Sequence, residues 1–198
     1  MEKSLIYKIK SKALNDNIPI ILDDTLQVVE HIFRCNNIND ILEIGTAVGY
    51  SAICFSQFIK SNGYIDTIEK DENRVKEARG NIESIGLQEK VNIIAGDAVE
   101  ILPTINKQYD LIFIDAAKGK YPEFLKQAIR LVKNNGIILA DNVLYKGYVL
   151  GDYNKHKQRT AVRRLREFLE QIEQNPILQS EILQVGDGLA VIKKINKF

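Results

Sequence analysis

Short apolar runs alternate along this chain with longer segments whose apolar residues recur at helical spacing. Asp40-Ile-Leu-Glu-Ile-Gly45 reads as a buried strand that runs into a helix from about Tyr50 to Lys60. Tyr64-Ile-Asp-Thr-Ile-Glu69 is the next strand, and a helix over Glu72–Ser84 follows it, with Gly86 as its stop. Val91-Asn-Ile-Ile-Ala95 is a third strand, trailed by a short helix over Val99–Leu102. Tyr109-Asp-Leu-Ile-Phe-Ile-Asp115 is a fourth, then come a helix at about Pro122–Val132 and the strand Gly136-Ile-Ile-Leu-Ala-Asp141. Repeated strand–helix units predict a parallel sheet with helices on both faces.

The end of the chain breaks that rhythm. A helix at about Thr160–Gln174 leads to Ser180–Val185, and Gly186-Asp-Gly188 turns directly into Leu189-Ala-Val-Ile-Lys-Lys194. Two strands joined by a glycine-containing turn predict an antiparallel hairpin. The expected fold is therefore a Rossmann-like α/β domain, a mostly parallel seven-stranded sheet closed by an antiparallel C-terminal hairpin. Two helices, at about 3–14 and 24–34, precede the sheet, and residues 1–38 are expected to supply a lid or a dimer contact.

At 198 residues the chain has the length of one domain, 1–198. A hydrophobic fraction of 45% with 27% charged residues is that of a soluble globular protein, and no apolar run approaches a membrane span. Met1-Glu2-Lys3-Ser4-Leu5-Ile6 lacks the apolar core of a signal peptide, so the cytoplasm is the expected location. Cys35 and Cys54 have no metal-ligand spacing and fit a reducing compartment without a disulfide. The net charge of +1 conceals an asymmetry: from Lys118 to Arg166, 12 basic residues stand against 3 acidic ones. Such a density suits either a polyanion or a set of solvated helix faces.

Ligands of open α/β sheets sit beyond the carboxyl ends of the strands. The first strand ends in Glu43-Ile-Gly45-Thr-Ala-Val-Gly49-Tyr50-Ser51, where glycine lets the backbone approach a ligand and turn into a helix. Nicotinamide and flavin sites use G-x-G-x-x-G to bring a pyrophosphate to a helix N-terminus, and this loop lacks the third glycine. Its carboxylate, Glu43, suits a ligand with cationic groups and no phosphate, such as S-adenosylmethionine (SAM), which carries an ammonium and a sulfonium. Glu69 ends the next strand, where an acid can accept both ribose hydroxyls of an adenosine. Asp97 follows the third strand, placed for an adenine amino group, with the Ala98 N–H for a ring nitrogen.

Asp115 ends the fourth strand and Asp141-Asn142 the fifth. Two carboxylates and an amide oxygen make a hard, oxygen-only donor set that suits Mg²⁺. Lys118 stands three residues after Asp115. Methyl transfer needs an oxyanion rather than a hydroxyl, and a nearby lysine can stabilise that charge or accept the proton.

Leu42-Glu-Ile-Gly-Thr-Ala-Val-Gly-Tyr-Ser51, Phe113-Ile-Asp-Ala-Ala-Lys118 and Leu139-Ala-Asp-Asn142 together resemble the cation-dependent O-methyltransferases of the catechol and caffeoyl-CoA type. The resemblance runs from about Asp24 to Ile195 and implies a class I methyltransferase fold. It implies SAM contacts from Glu43, Gly45, Tyr50, Ser51, Glu69, Asp97, Ala98 and Asp115, and metal ligation by Asp115, Asp141 and Asn142. Lys118 falls on the family's catalytic lysine, and Asp115 serves both cofactor and metal. A further acidic residue of the catechol enzymes has no counterpart here. Asp141-Asn-Val-Leu-Tyr-Lys-Gly147 and Val185-Gly-Asp-Gly-Leu-Ala-Val191 look like the bacterial methyltransferases that convert 5-hydroxyuridine to 5-methoxyuridine at the tRNA wobble position. That implies tRNA as partner, and related enzymes are often homodimers.

Catechol and 5-hydroxyuridine both offer two adjacent oxygens, so the pocket alone admits either acceptor. The basic stretch favours the RNA: Arg163, Arg164 and Arg166 fall largely outside the apolar side Val162, Leu165, Phe168 and Leu169 of their helix. With Lys120 and Lys146 near the pocket mouth they are candidates to grip phosphates, and the target base must unstack to enter. Tyr145 and Tyr148 are candidates to stack on a base or rim the pocket. His156 reads as a loop residue near phosphate or solvent, His31 as packing or surface, and Cys54 as core.

Overall fold

The computed structural model describes residues 2–151 and 158–195. In chain order come α1 (Glu2–Asn15), α2 (Asp23–Cys35), β1 (Asp40–Ile44), α3 (Tyr50–Ser56), β2 (Tyr64–Glu69), α4 (Glu72–Ile85) and β3 (Val91–Ala95). There follow α5 (Ala98–Ile101), a 3-10 turn at Leu102–Thr104, β4 (Tyr109–Ile114) and a second 3-10 turn at Lys118–Lys120. The chain closes with α6 (Tyr121–Leu131), β5 (Val132–Ala140), α7 (Arg159–Gln174), β6 (Leu178–Leu183) and β7 (Leu189–Lys194). The strands form a seven-stranded sheet in the order β3-β2-β1-β4-β5-β7-β6. β1–β2, β2–β3 and β4–β5 are parallel, whereas β5–β7 and β6–β7 are antiparallel, as the sequence pattern predicts. The chain divides into two compact units, Met1–Ala98 and Val99–Phe198.

In the first unit, Ile41, Leu42, Glu43 and Ile44 of β1 are all fully buried, the signature of a parallel strand covered on both faces. α4 starts where Asp71 accepts the N–H groups of Asn73 and Arg74 at 2.9 and 3.0 Å. It stops at Gly86, in the left-handed region at φ 76. The N-terminal helices pack onto this unit. Phe33 of α2 lies 5.7 Å from the rings of both Phe55 and Phe58, and Lys12 of α1 pairs with Glu77 of α4. α3 is shorter than the apolar pattern suggests, ending at Ser56.

In the second unit, α7 buries Val162, Leu165, Phe168 and Ile172 and α6 buries Tyr121, Phe124, Leu125, Ala128 and Leu131. Phe168 meets Tyr121 edge-on at 5.4 Å. β5 begins at Val132, four residues before the predicted Gly136. Tyr109 pairs with Val132 and then Leu111 with Ile137, so Lys133-Asn-Asn135 bulges between them, with Asn135 at φ 63. A polar bulge looks like a loop in sequence, which hides the first part of the strand. Both cysteines are free, Cys35 exposed and Cys54 buried. Among the described residues no helix is long and apolar enough to cross a membrane.

Candidate active site

The first unit carries the residues expected to hold the donor. Glu43 is completely buried at the end of β1, and its two carboxylate oxygens accept from Ser51 Oγ and Thr67 Oγ1, both at 2.5 Å. Thr67 spends its one proton on Glu43, so Thr46 Oγ1, 2.6 Å away, donates to Thr67. A buried carboxylate is costly unless hydrogen-bonded, and these hydroxyls give each oxygen a donor while fixing β1, β2 and the start of α3 together. Glu69 is held by backbone: Oε2 accepts the Ala47 N–H at 2.9 Å, and Oε1 accepts Lys70 and Asp71 N–H at 2.9 and 3.0 Å. Oε2 thereby keeps a lone pair for one ligand hydroxyl.

The loop between β1 and α3 is pinned along its length. Gly45 and Thr46 N–H donate to Ile68 O at 3.0 and 3.2 Å, and Asn81 Nδ2 reaches Val48 O at 2.9 Å. Gly49 turns at φ 80, where an added Cβ would sit 3.4 Å from Ala78 on α4. Tyr50 is buried and bonded to the Cys54 thiol. Burial pushes its phenol well above the usual range and the thiol up to about 11. Asp97 is exposed just past β3, and Ala98 is buried at the start of α5.

The second unit carries the residues expected to face the acceptor. Ile114 and Ala140 are register partners at the ends of β4 and β5, so Asp115 and Asp141 leave the sheet side by side. Asp141 is 2% exposed and its carboxylate accepts the Asn142 N–H at 2.7 Å. Burial, and next the charge of Asp115, push Asp141 up to about 7, against the opposing pull of the Asn142 N–H and Lys118. Lys118 Nζ donates to Asn142 Oδ1 at 2.7 Å and to Asp115 Oδ1 at 3.3 Å. The structure thus gathers all four sequence-predicted residues of this side into one cluster.

Their chemistry fits a divalent metal. The donors are all oxygen, and burial, then the neighbouring Asp115 carboxylate, raises Asp141, an arrangement that an added positive charge would relieve. No group of three or more His, Cys, Asp or Glu able to hold a metal occurs among the described residues, and here the third oxygen is the Asn142 amide.

Beyond Asn142 the backbone enters the left-handed region at Asn142, Tyr145, Lys146 and Gly147 (φ 55, 45, 56 and 75). Such a path persists only when its surroundings over-determine it. Val143 and Leu144 N–H donate to Gly188 O and Asp187 O at 2.9 Å each, and Lys146 N–H to Asp187 Oδ1 at 2.8 Å. A Cβ at Gly188 would overlap Leu144. The hairpin turn therefore holds this segment, on which Tyr145 and Tyr148 meet edge-on at 5.9 Å.

The basic residues divide into two kinds. Arg164 is engaged by Gly119 O at 3.1 Å and by the carboxylates of Glu123 and Glu167. Arg166 donates to Val149 O and Tyr148 O at 3.0 and 3.4 Å, and to Gly151 O. Both brace loops of the second unit. Arg163 and Lys146 are exposed, as is Lys120, 3.9 Å from Glu123. Lys155, His156 and Lys157 lie outside the described residues.

Sequence reasoning passed over Thr67, Asn81, Asp187 and Tyr121. Thr67 left a signal, a polar residue within a buried strand. Tyr121 falls just before the predicted helix, with no role legible in the sequence, yet its hydroxyl reaches Asp141 O at 2.7 Å and Ile114 O at 3.3 Å.

The chain matches the model of a family described as O-methyltransferase over residues 6–195. It is 34% identical over 179 residues to a catechol O-methyltransferase of Niastella koreensis, covering 85% of this chain and 78% of that protein. It is 32% identical to a catechol O-methyltransferase of Mycobacterium tuberculosis, covering 76% of this chain and 70% of that protein. Among solved structures, an O-methyltransferase from Bacillus cereus in complex with SAH shares 27% identity at a TM-score of 0.87, covering 96% of this chain and 90% of that one. A donor loop tied to Glu43 and Glu69, an oxygen cluster with its lysine and these similarities have one meaning: the chain belongs to the O-methyltransferase family and is a SAM-dependent O-methyltransferase.

Proposed function

We propose that this enzyme is Mg²⁺-dependent and methylates 5-hydroxyuridine at the wobble position of tRNA. The observation that carries the reading is the cluster of Asp115, Asp141, Asn142 and Lys118, in a unit that also exposes Lys120, Lys146 and Arg163. Mg²⁺ held by the oxygens of Asp115, Asp141 and Asn142 would acidify a hydroxyl beside a second oxygen, and SAM would supply the methyl group. Lys118, fixed by Asn142 and Asp115, is placed to take the hydroxyl proton or to hold the negative charge left on oxygen. The loop from Glu43 to Ser51, with Glu69, orients the donor, and orientation supplies much of the acceleration. Exposed Lys120, Lys146 and Arg163 would meet phosphates.

A second reading, a catechol-type enzyme with a small vicinal diol as acceptor, is favoured by a different observation. Arg164 and Arg166 engage their guanidinium groups with the protein's own carboxylates and carbonyls, which thins the basic surface, and the two relatives named above are catechol O-methyltransferases. Turnover on tRNA containing 5-hydroxyuridine, compared with catechol and caffeate, separates the two. We expect methylation of the tRNA, abolished by EDTA and restored by Mg²⁺. Methylation of catechol with none of the tRNA overturns the RNA reading, and full activity in EDTA overturns the metal.

A further inference from the structure

We propose that Tyr121 is a positioning residue, whose buried hydroxyl ties the ends of β4 and β5 so that Asp115 and Asp141 stand at the spacing a metal requires. The inference rests on reading Asp115, Asp141 and Asn142 as metal ligands.

Tyr121 is wholly buried between Phe124 and Phe168, ring centroids 6.5 and 5.4 Å away, a setting that phenylalanine would fill equally well. Its hydroxyl is the feature that packing leaves unexplained. A buried hydroxyl is costly unless bonded, and this one donates its single proton to Asp141 O at 2.7 Å, with Ile114 O at 3.3 Å as a weaker acceptor sharing that proton. Ile114 O also accepts the Asp141 N–H at 3.0 Å. Phenol, β4 end and β5 end thus meet at one node.

The node matters because aspartate is short. With two side-chain torsions, the separation of two aspartate carboxylates is set chiefly by their backbones. The carbonyl of Asp141 belongs to the peptide it shares with Asn142. That peptide is gripped at both ends, its C=O by Tyr121 and its N–H by the Asp141 carboxylate. Asn142 sits at φ 55, a conformation a non-glycine residue keeps only when held. The same tyrosine carries Lys118 Nζ 5.9 Å from its ring centroid. One side chain therefore braces the backbone of Asp115, Asp141 and Asn142 and underlies the lysine.

Calorimetric titration with Mn²⁺ alone, on the full chain and on Tyr121→Phe, tests this, alongside SAM titration and the unfolding midpoint. We expect Tyr121→Phe to bind Mn²⁺ about tenfold more weakly, as loss of an outer-sphere support does, with SAM affinity unchanged. Phe168→Leu loosens the same packing and keeps the hydroxyl, so it should lower the midpoint and leave Mn²⁺ affinity intact. Native Mn²⁺ affinity in Tyr121→Phe, an equal loss in Phe168→Leu, or joint loss of Mn²⁺ and SAM binding in Tyr121→Phe each overturns the positioning role. Absence of Mn²⁺ binding by the unaltered chain overturns the metal reading instead.

Discussion

The two units treat their strand-end acids in opposite ways. In the first, Glu43 and Glu69 are satisfied by neutral donors, two hydroxyls for one and three backbone N–H groups for the other. In the second, Asp141 is buried next to another carboxylate and sits at about 7. Oriented neutral dipoles make a cradle that is finished before the ligand arrives. Crowded like charges make a place whose electrostatics favour an incoming cation. The contrast suits a donor held by shape and an acceptor activated by charge.

The comparison breaks most easily at Asp141. Asp141→Ala should lower kcat/KM by on the order of 10²–10³-fold and leave SAM affinity within twofold by calorimetry. Equal loss of SAM affinity would show the two sides are not separable. Lys118→Met should cost about 10²-fold in kcat, with the acceptor KM little changed.

Acidity sharpens the same contrast. The folded chain holds Asp141 near 7 against its ordinary 3.8, so between those values the folded state binds a proton that the unfolded chain has released. That stabilising contribution is fully present below the lower value and is lost as pH rises through the upper one. The metal-free unfolding midpoint should therefore fall from about pH 4 to about pH 7, and Asp141→Asn should flatten that slope.

On the donor side, Thr67→Val should destabilise the fold by about 1.5–3 kcal/mol, the range for a hydrogen bond to a charged group, and weaken SAM without altering the Mg²⁺ dependence. A Mg²⁺ titration of Thr67→Val turnover at saturating SAM checks this. The smallest effect is expected at the surface. Arg163→Gln should reduce tRNA affinity a few-fold and lower the salt slope by about one, whereas Arg164→Gln should lower the unfolding midpoint. Filter-binding across a salt series distinguishes them.

The carboxyl ends of the strands were the most legible part of the chain. Glu43, Glu69, Asp115 and Asp141 could be placed from apolar runs because a parallel strand buried on both faces reads as a near-continuous apolar run with these acids at or just beyond its end. Helix faces were less legible. Arg163 and Arg164 are adjacent and chemically identical, yet one is exposed and the other is held by Glu123, Gly119 and Glu167. Two of those partners lie more than forty residues away in sequence, beyond any local pattern. The early start of β5 at Val132 was hidden for a related reason: its polar residues belong to a bulge that pairing with β4 creates.

The sequence by itself determined the order of strands and helices along the chain and the acids at the strand ends, since local periodicity and turn chemistry decide these; β6, expected over Ser180–Val185, runs from Leu178 to Leu183. Only the tertiary structure decided what those acids touch. That Glu43 is met by Thr67, that Lys118 bridges Asn142 and Asp115, and that Tyr121 bonds the backbone of two strands follow from contacts between distant segments. A side chain's hydrogen-bond partners depend on which segments packing brings within about 3 Å, and that proximity is a property of the fold rather than of any local run of residues.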